Sequence, residues 1–299
     1  MKKTLLECVP NISEGRDPLA LHALYQTLSQ LPELQILDYS ADPDHHRSVW
    51  TWAAPPDVIE QALNMLFHWA ERQIDLSRHQ GAHPRIGAVD VIPLIPLQGI
   101  SQNEAVQFSQ ALAGRLAQRF QLPIFLYEQS ASQPERQNLA AIRRGQFEGL
   151  SEKLKQPSWA PDFGPAQPHP SLGATALGVR DFLIAFNLFY GKQELSAVKA
   201  LAHRLRASSG GLPAVKALGL WLPQRQCAQL SFNLTDFRIT SLQRLIQAVF
   251  KEGAKLGIEP ESGEIIGLIP ADAAWPGFEA DLKLMDPRDV ILEYHLRSV

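Results

Sequence analysis

The sequence has little of what disulfide-stabilised, zinc-ribbon or redox proteins need. It contains two cysteines in 299 residues, Cys8 and Cys227, and neither belongs to a paired-cysteine motif. A disulfide framework, a zinc ribbon and a thioredoxin-type site are therefore unsupported, and a cytoplasmic location is expected. Cys8 stands among apolar residues that predict a strand, so we interpret it as a small buried hydrophobe rather than a nucleophile.

An excess of positive charge and long apolar runs are also absent. Lys and Arg total 28 against 31 Asp and Glu, which gives a net charge of -3 and a pI near 6.3. Nucleic acids and anionic membranes are normally bound through a clustered basic face, so both are disfavoured as partners. No stretch approaches the ~20 consecutive apolar residues of a membrane helix, and polar residues interrupt the N-terminus too early for a signal peptide.

The distribution of apolar residues predicts two similar halves. Apolar residues make up 45% of the chain, enough for a substantial core, and the length suggests two domains. Their spacing predicts the order strand, helix, strand, strand, helix, strand in the first half, and the same order after about residue 182. We therefore predict an α+β fold of two layered subdomains, residues 1–180 and 181–299. The proline-rich residues 157–178 are expected to form a long irregular segment.

Two local signals refine this prediction. Ser101 and Glu104 have the spacing of a capping box and predict the start of a long helix. Pro93 and Pro96 fall in an apolar segment and favour an edge strand or strand ends, because proline cannot donate to a strand ladder.

The densest group of chemically active side chains lies in residues 78–90, which read RHQGAHPRIGAVD. Two imidazoles, two guanidiniums and a carboxylate surround glycines that allow sharp turns. His79 and His83 have the spacing of two metal ligands on a helix, but Gly81 and Pro84 oppose a helix and the metalloprotease glutamate is missing. General acid–base catalysis by His83 is the better interpretation, whereas His79 could equally serve only to shape the loop.

A second polar group lies in a predicted turn that reads DPDHHR. Its Asp42 and His46 are candidate catalytic residues, and a solvated turn is the alternative. Arg47, together with Arg78 and Arg85, could bind carboxylates through paired hydrogen bonds, although each could instead form a surface salt bridge.

The proline-rich segment offers a possible site for a flat ligand. Gly164 and Gly173 would allow close approach of the backbone, and Trp159 and Phe163 provide stacking surface. The same aromatic residues could equally fill the interface between the subdomains.

Seven ordered blocks resemble the formiminotransferase family, and the resemblance extends over about residues 5–270. The blocks are ECVPNISEG (7–15), DPDHHRSV (42–49), DLSRHQGAHPRIGAVDVIPLIP (75–96), AIRRGQFEGL (141–150), WAPDFGP (159–165), GATALGVRDFLIAFN (173–187) and SFNLTDF (231–237). Separated blocks in a fixed order are far more specific than one short motif.

The resemblance implies a transferase of histidine breakdown and one-carbon metabolism. It would move the formimino group of N-formimino-L-glutamate to N5 of tetrahydrofolate, its co-substrate, without a metal. The implied fold is two ferredoxin-like α/β sandwich subdomains with a ligand channel between them. A homodimer is expected, and a separate cyclodeaminase would use the product.

The resemblance also implies roles for individual residues. The family's catalytic histidine corresponds to His83. Combined with the reasoning above, it gives an expected set of catalytic residues (His83, Arg85, His46 and Asp42), folate-contacting residues (Phe163, Gly164, Pro165, Ser171, Leu172 and Gly173) and substrate-binding residues (Arg47, Arg78 and His79).

Two positions depart from the pattern of the animal members of the family. Ser40 stands where they carry an acid, and Leu172 where they carry a tryptophan that could stack on an aromatic ring of folate. Two alternatives therefore remain open: formylglutamate as the donor, or a folate-binding protein with little or no catalysis.

Overall fold

The computed structural model describes residues 4–285 and 289–296, and the chain divides into two compact units at Arg180. The elements of the first unit are β1 (Leu5–Cys8), β2 (Asn11–Ile12), α1 (Pro18–Leu28), β3 (Gln35–Asp42), β4 (Arg47–Ala54), α2 (Pro56–Gln73), β5 (Val89–Gln98), α3 (Gln102–Phe120), β6 (Ile124–Leu126), α4 (Leu139–Arg143), α5 (Leu150–Leu154) and β7 (Thr175–Val179). Those of the second unit are β8 (Ile184–Tyr190), α6 (Leu195–Leu205), β9 (Val215–Leu222), β10 (Cys227–Leu234), α7 (Leu242–Ala254), β11 (Ser262–Ile266), α8 (Phe278–Asp281) and α9 (Leu292–His295). Short 3₁₀ turns connect several of them.

The first unit is built on a seven-stranded sheet. β1 and β2 are two pieces of one interrupted strand, because both pair with β4 on one side and with β5 on the other. β3 extends the sheet beyond β4, while β7 and β6 continue it beyond β5 in parallel. The apolar stripes of α1, α2 and α3 pack on one face and form the main core. α4 and α5 cover part of the other face, where they bury a smaller cluster over β5, β6 and β7.

The second unit repeats the order of the elements from β1 to β5 in the first. Its four strands lie in the order β11-β8-β10-β9, all antiparallel, with apolar residues of α6 and α7 in one core with the sheet. When β1 and β2 are counted as one strand, the strands β5, β1/β2, β4 and β3 lie side by side in the first unit, as β11, β8, β10 and β9 do in the second. In chain order, both sets therefore run fourth, first, third, second across the sheet. The predicted mixed α and β class is confirmed, with one sheet in each unit.

The prolines of β5 do not mark a sheet edge, so the prediction of an edge strand is wrong. β5 is central, and Pro93 lies opposite the interruption between β1 and β2, where Val9 N donates to its carbonyl at 3.0 Å. In a narrow antiparallel pair the nitrogen of residue 93 would return a hydrogen bond to the carbonyl of Val9. Asn11 Nδ2 supplies that bond instead, at 2.8 Å. A side-chain amide thus replaces the donor that proline lacks.

Part of the segment expected to be irregular is a buried strand. Residues 175–179 form β7 between β5 and β6, and Thr175 Oγ1 donates to the Val89 carbonyl at 2.6 Å. Close packing explains the weak sequence signal, since a Cβ at Gly178 would lie 2.1 Å from the Tyr127 carbonyl. The helix predicted from Ser101 is confirmed, with both bonds of its capping box formed. None of the helices in the described part of the chain is long and apolar enough to span a membrane.

We expect Gly87→Ala to destabilise the first unit. A Cβ at this position would lie 1.9 Å from the carbonyl oxygen of Ala174, which is a backbone atom, so the two chain segments just before β5 and β7 must separate. Overpacking of this kind should lower the free energy of unfolding by about 2 kcal/mol or more, measured by denaturant or calorimetric unfolding.

Gly114→Ala is the matched control. Its Cβ would meet the Phe163 ring at 3.5 Å, an ordinary contact, and alanine is favoured over glycine within α3. Equal stabilities of the two variants would contradict the packing argument.

Candidate active site

The loop that follows α2 packs against the turn between β3 and β4. Ala82 N donates to the Asp44 carbonyl at 3.0 Å, and a Cβ at Gly81 would lie 2.1 Å from the His45 carbonyl. This close approach requires glycine. It brings together the two histidine-rich segments, which are more than thirty residues apart in the sequence.

A buried carboxylate, Asp90, organises the centre of the site. Its Oδ2 accepts from Arg47 Nη1 at 2.9 Å and from Arg143 Nη2, and its Oδ1 accepts from Ile86 N at 2.8 Å. Burial alone raises the pKa of Asp90, but the two guanidiniums outweigh it and lower the pKa. Arg47 also donates to Asn11 Oδ1. Two cations share one carboxylate, so the centre carries a net positive charge that suits an anionic ligand.

Asp90 reaches this position because it lies in a β-bulge. Asn11 pairs with Val91 and the next residue, Ile12, pairs with Val89, so Asp90 has no partner in the ladder. The extra residue in β5 turns its side chain toward the guanidiniums.

His83 lies beside this cationic centre with its ring half-buried. Nδ1 donates to the Pro84 carbonyl at 2.9 Å, which fixes the neutral tautomer and leaves the Nε2 lone pair available as a base. Its ring meets that of His45 edge-on, with centroids 6.0 Å apart. Burial first, and then the charges of Arg47 and Arg143, hold the pKa of His83 well below its usual range. His83 is therefore a neutral imidazole near pH 7.

Arg85 holds the loop together. It donates twice to the Glu148 carboxylate, at 2.7 and 2.8 Å, and also to His79 Nδ1 and the His79 carbonyl, each at 3.0 Å. A long contact of 3.5 Å to Gln146 Oε1 involves its remaining N–H. Arg85 hydrogen bonds chiefly hold the Glu148 pKa at about 2. Because protein groups use its five donors, this geometry opposes the expected role of Arg85 as a substrate anchor and supports a positioning role.

His79 is also committed to the protein. Its Nδ1 accepts from Arg85, and its Nε2 donates to the His46 carbonyl at 2.7 Å. Burial is the main cause that lowers its pKa to about 4. Neither nitrogen is free for a metal or a substrate, so the geometry supports the loop-shaping alternative for His79.

His46 and Asp42 shape the turn between β3 and β4. The His46 ring stacks on that of His79 at 4.2 Å, its Nδ1 donates to the Gln80 carbonyl at 3.1 Å, and its Nε2 faces Glu14 Oε1 at 3.5 Å. Burial raises the pKa of Glu14, but hydrogen bonds from this ring and from two backbone N–H groups lower it to about 2. Asp42 Oδ1 accepts from His45 N at 2.8 Å, a bond typical of turns, which favours the turn alternative for Asp42.

Arg78 lies apart from these contacts. Its side chain is 88% exposed and forms an ion pair with Asp75 at 3.3 Å. The surface alternative weighed for Arg78 agrees with this position better than substrate binding does.

The expected folate-contacting segment divides into two parts, and the first packs on the sheet and α3. The Phe163 carbonyl accepts from Ile124 N at 2.9 Å, and its ring lies against Gly114. Gly164 has a φ of 87° and approaches the Leu122 carbonyl, and the half-buried Pro165 follows it. The Phe163 ring is thus part of the core periphery, which opposes its expected use as a stacking surface.

The second part is a tight turn beside the loop of His83. His169 and Gly173 exchange backbone hydrogen bonds of 2.8 and 2.9 Å, and the Leu172 carbonyl accepts from Ala88 N at 3.0 Å. The Leu172 side chain is completely buried in the core, so it cannot stack on a ligand, and its difference from tryptophan carries no information about ring stacking. Ser171 is half-buried, and its backbone nitrogen and hydroxyl lie 3.3 and 3.4 Å from His169 Nδ1.

Five participants were not singled out as site residues from the sequence. They are Asn11, Glu14, Asp90, Arg143 and Glu148. Each stands within one of the sequence blocks described above, and Asp90 is also the carboxylate of the chemically active group at residues 78–90.

Comparisons of the sequence with family models and with individual proteins agree on one family. Residues 5–180 match the model of the formiminotransferase domain, N-terminal subdomain, and residues 187–277 match that of the formiminotransferase domain. A glutamate formimidoyltransferase of Streptococcus pyogenes is 40% identical over 98% of both chains. One from Thermoplasma acidophilum is 38% identical over 90% of this chain and 89% of its own. The formimidoyltransferase-cyclodeaminase of Mus musculus is 40% identical over 90% of this chain but only 51% of its own length.

We expect His79 to make the fold sensitive to acid. Its pKa is about 4 when folded, against ~6.5 when unfolded, so the unfolded state binds the extra proton. The neutral His79 costs no stability above pH 6.5, and stability falls by up to ~1.4 kcal/mol per pH unit as the pH drops from 6.5 toward 4. The free energy of unfolding of His79→Gln, measured with denaturant across this range, should depend less steeply on pH than that of the unchanged chain.

His22→Gln is the control, because His22 is exposed on α1. The quantity compared is the slope of the free energy of unfolding against pH, rather than the free energy itself. Equal slopes in the chain with and without His79 would contradict a neutral, buried imidazole at this position.

Proposed function

The chain belongs to the formiminotransferase family, and we propose on that basis that it transfers the formimino group of N-formimino-L-glutamate to N5 of tetrahydrofolate, giving 5-formiminotetrahydrofolate and glutamate. Family membership confirms the resemblance found in the sequence. The observation that carries the proposal is His83, a neutral imidazole with a free Nε2 beside two guanidiniums.

The charge of the site fits the substrates. N-formimino-L-glutamate has two carboxylates, and the centre around Asp90 has one guanidinium more than it has carboxylates. Arg143 uses Nη2 for Asp90, and its buried Nε has no hydrogen-bond partner in the described part of the chain. Arg143 is therefore assigned a role as carboxylate anchor together with Arg47, whereas the sequence suggested this role for Arg47, Arg78 and Arg85.

His83 supplies the acid–base chemistry. Tetrahydrofolate, when bound, supplies the nitrogen nucleophile N5. His83 Nε2 accepts the proton that this amine loses and returns it to the glutamate nitrogen when the bond between that nitrogen and the formimino carbon breaks. The nearby guanidiniums keep the ring unprotonated before the reaction and make the imidazolium a strong acid afterwards. One side chain can thus perform both transfers, and the protons balance.

Substrate carboxylates should change the basicity of His83. When they bind at Arg47 and Arg143, they offset the positive charge that lowers the His83 pKa. The ring therefore becomes a better base only when the donor is present, which couples binding to catalysis.

The test is a spectrophotometric assay with tetrahydrofolate and formiminoglutamate, run beside formylglutamate. We expect product with formiminoglutamate, and a loss of about 10² to 10⁴-fold in kcat for His83→Ala because the acid–base group is removed. His22→Ala, at an exposed position on α1, should keep full activity. Folate binding without turnover of either donor would overturn the proposal, and near-normal turnover by His83→Ala would remove this residue from the mechanism.

The pH dependence provides a separate prediction. The acid limb of kcat/KM reports the base in the free enzyme, so it should lie below the ordinary histidine value of ~6.5. The acid limb of kcat reports the complex and should lie at higher pH, since bound carboxylates raise the pKa of His83. Stability at each pH is checked by returning samples to pH 7 before assay. A free-enzyme limb at or above 6.5 would contradict the proposed electrostatics.

A further inference from the structure

A buried lysine donates hydrogen bonds to the backbone near the site. Lys153 on α5 is only 8% exposed, and its Nζ donates to the carbonyls of Ala141 at 2.7 Å, Ile142 at 2.6 Å and Arg144 at 3.2 Å. An ammonium group has three N–H donors, so all of them are used.

The surroundings of this ammonium are costly for a cation. In the described part of the chain it forms no ion pair with a carboxylate, and the charged groups that face it are those of Arg144 and Arg136. Burial first, and then these two cations, lower the pKa of Lys153 to about 8. The Trp159 ring covers Nζ at 3.8 Å and offsets part of the cost through a cation–π contact. A charge kept in such surroundings calls for an explanation beyond packing.

The carbonyls that accept from Lys153 show which part of the backbone it fixes. α4 has only five residues, too few to be stable alone, and at its end the N–H of the cap residue Arg144 donates to the Ala141 carbonyl at a long 3.3 Å. Two of the three gripped carbonyls belong to Ile142 and Arg144, the residues on either side of Arg143. One amine therefore holds the backbone on both sides of Arg143, through the peptide group just before it and through the one that follows Arg144.

We propose that Lys153 is a positioning residue of the active site: by fixing the backbone on both sides of Arg143, it holds that guanidinium against Asp90 and beside His83. This inference rests on the proposed function for the roles of Arg143 and His83. A purely structural Lys153 would stabilise α4 and α5 without affecting the charge near His83.

The test uses the full-length chain with isotope-labelled histidine. The resonance of His83 is assigned by its loss in His83→Ala, and its titration midpoint is followed by NMR in Lys153→Met. Arg47, Arg143 and His45 are the charged or titratable groups that act on His83. With Arg143 released, the midpoint should rise toward 6.5, and the KM for the donor should rise about tenfold with a smaller change in kcat. Lys153→Arg keeps N–H donors at this position, so its His83 midpoint and donor KM should lie closer to those of the unchanged chain.

A double-mutant cycle isolates the route through Arg143. In an Arg143→Met background, Lys153→Met should move the His83 midpoint no further, because the group it positions is gone. Lys155→Met is the control: Lys155 follows α5 and forms an exposed ion pair with Glu152, so it should change nothing. If Lys153→Met does not fold, Lys153→Gln, which keeps two N–H donors, should give a smaller shift in the same direction.

An unchanged His83 midpoint and donor KM in folded Lys153 variants, with only stability reduced, would overturn the proposal. The proposal would also be overturned if Lys153→Met shifted the His83 midpoint equally with and without Arg143. Because the NMR titration needs no turnover, its result stands apart from the assay, and a failure of the proposed formimino transfer can be told from a failure of this inference.

Discussion

The site depends on one buried carboxylate shared by two guanidiniums. Asp90 is fully buried, and its pairs with Arg47 and Arg143 join β4, β5 and α4 at a single point. Removing three charged groups from water is costly, and the pairing repays that cost only if every partner is present. The arrangement is therefore poor as a device for stability alone. It makes sense as a way to hold two arginines close together, with their residual positive charge directed at an anionic ligand.

Environment gives the neighbouring histidines different roles. His79 and His83 both have lowered pKa values and both are neutral near pH 7. The difference lies in their hydrogen bonds, since both nitrogens of His79 are engaged, whereas Nε2 of His83 accepts no bond from the described part of the chain. A lowered pKa therefore accompanies a loop-shaping residue in one case and the proposed base in the other, and only the pattern of partners separates them.

Local signals in the sequence predicted local structure well and long-range partners poorly. The capping box and the repeated strand and helix order depend on neighbouring residues, so they could be predicted from spacing alone. Arg85 was expected to bind substrate because a guanidinium pairs well with carboxylates, but its partner is Glu148 of the same chain, 63 residues away. Arg143 was not singled out for a similar reason: its partner Asp90 lies 53 residues away in the sequence. Leu172 was judged by its place in a motif, whereas its burial is decided by packing across the sheet.

The irregularities of the first sheet explain why the site lies where it does. Pro93 removes one donor from the ladder, and the amide of Asn11 replaces it by donating to Val9. Because an amide has its oxygen opposite its nitrogen, Asn11 Oδ1 must then face the other way, where it accepts from Arg47. The bulge that turns Asp90 toward the same guanidinium lies on the next residues of the same strand pair. Regular pairing would have directed these side chains alternately to the two faces, so the lost backbone bonds are the condition for a charged centre within a sheet.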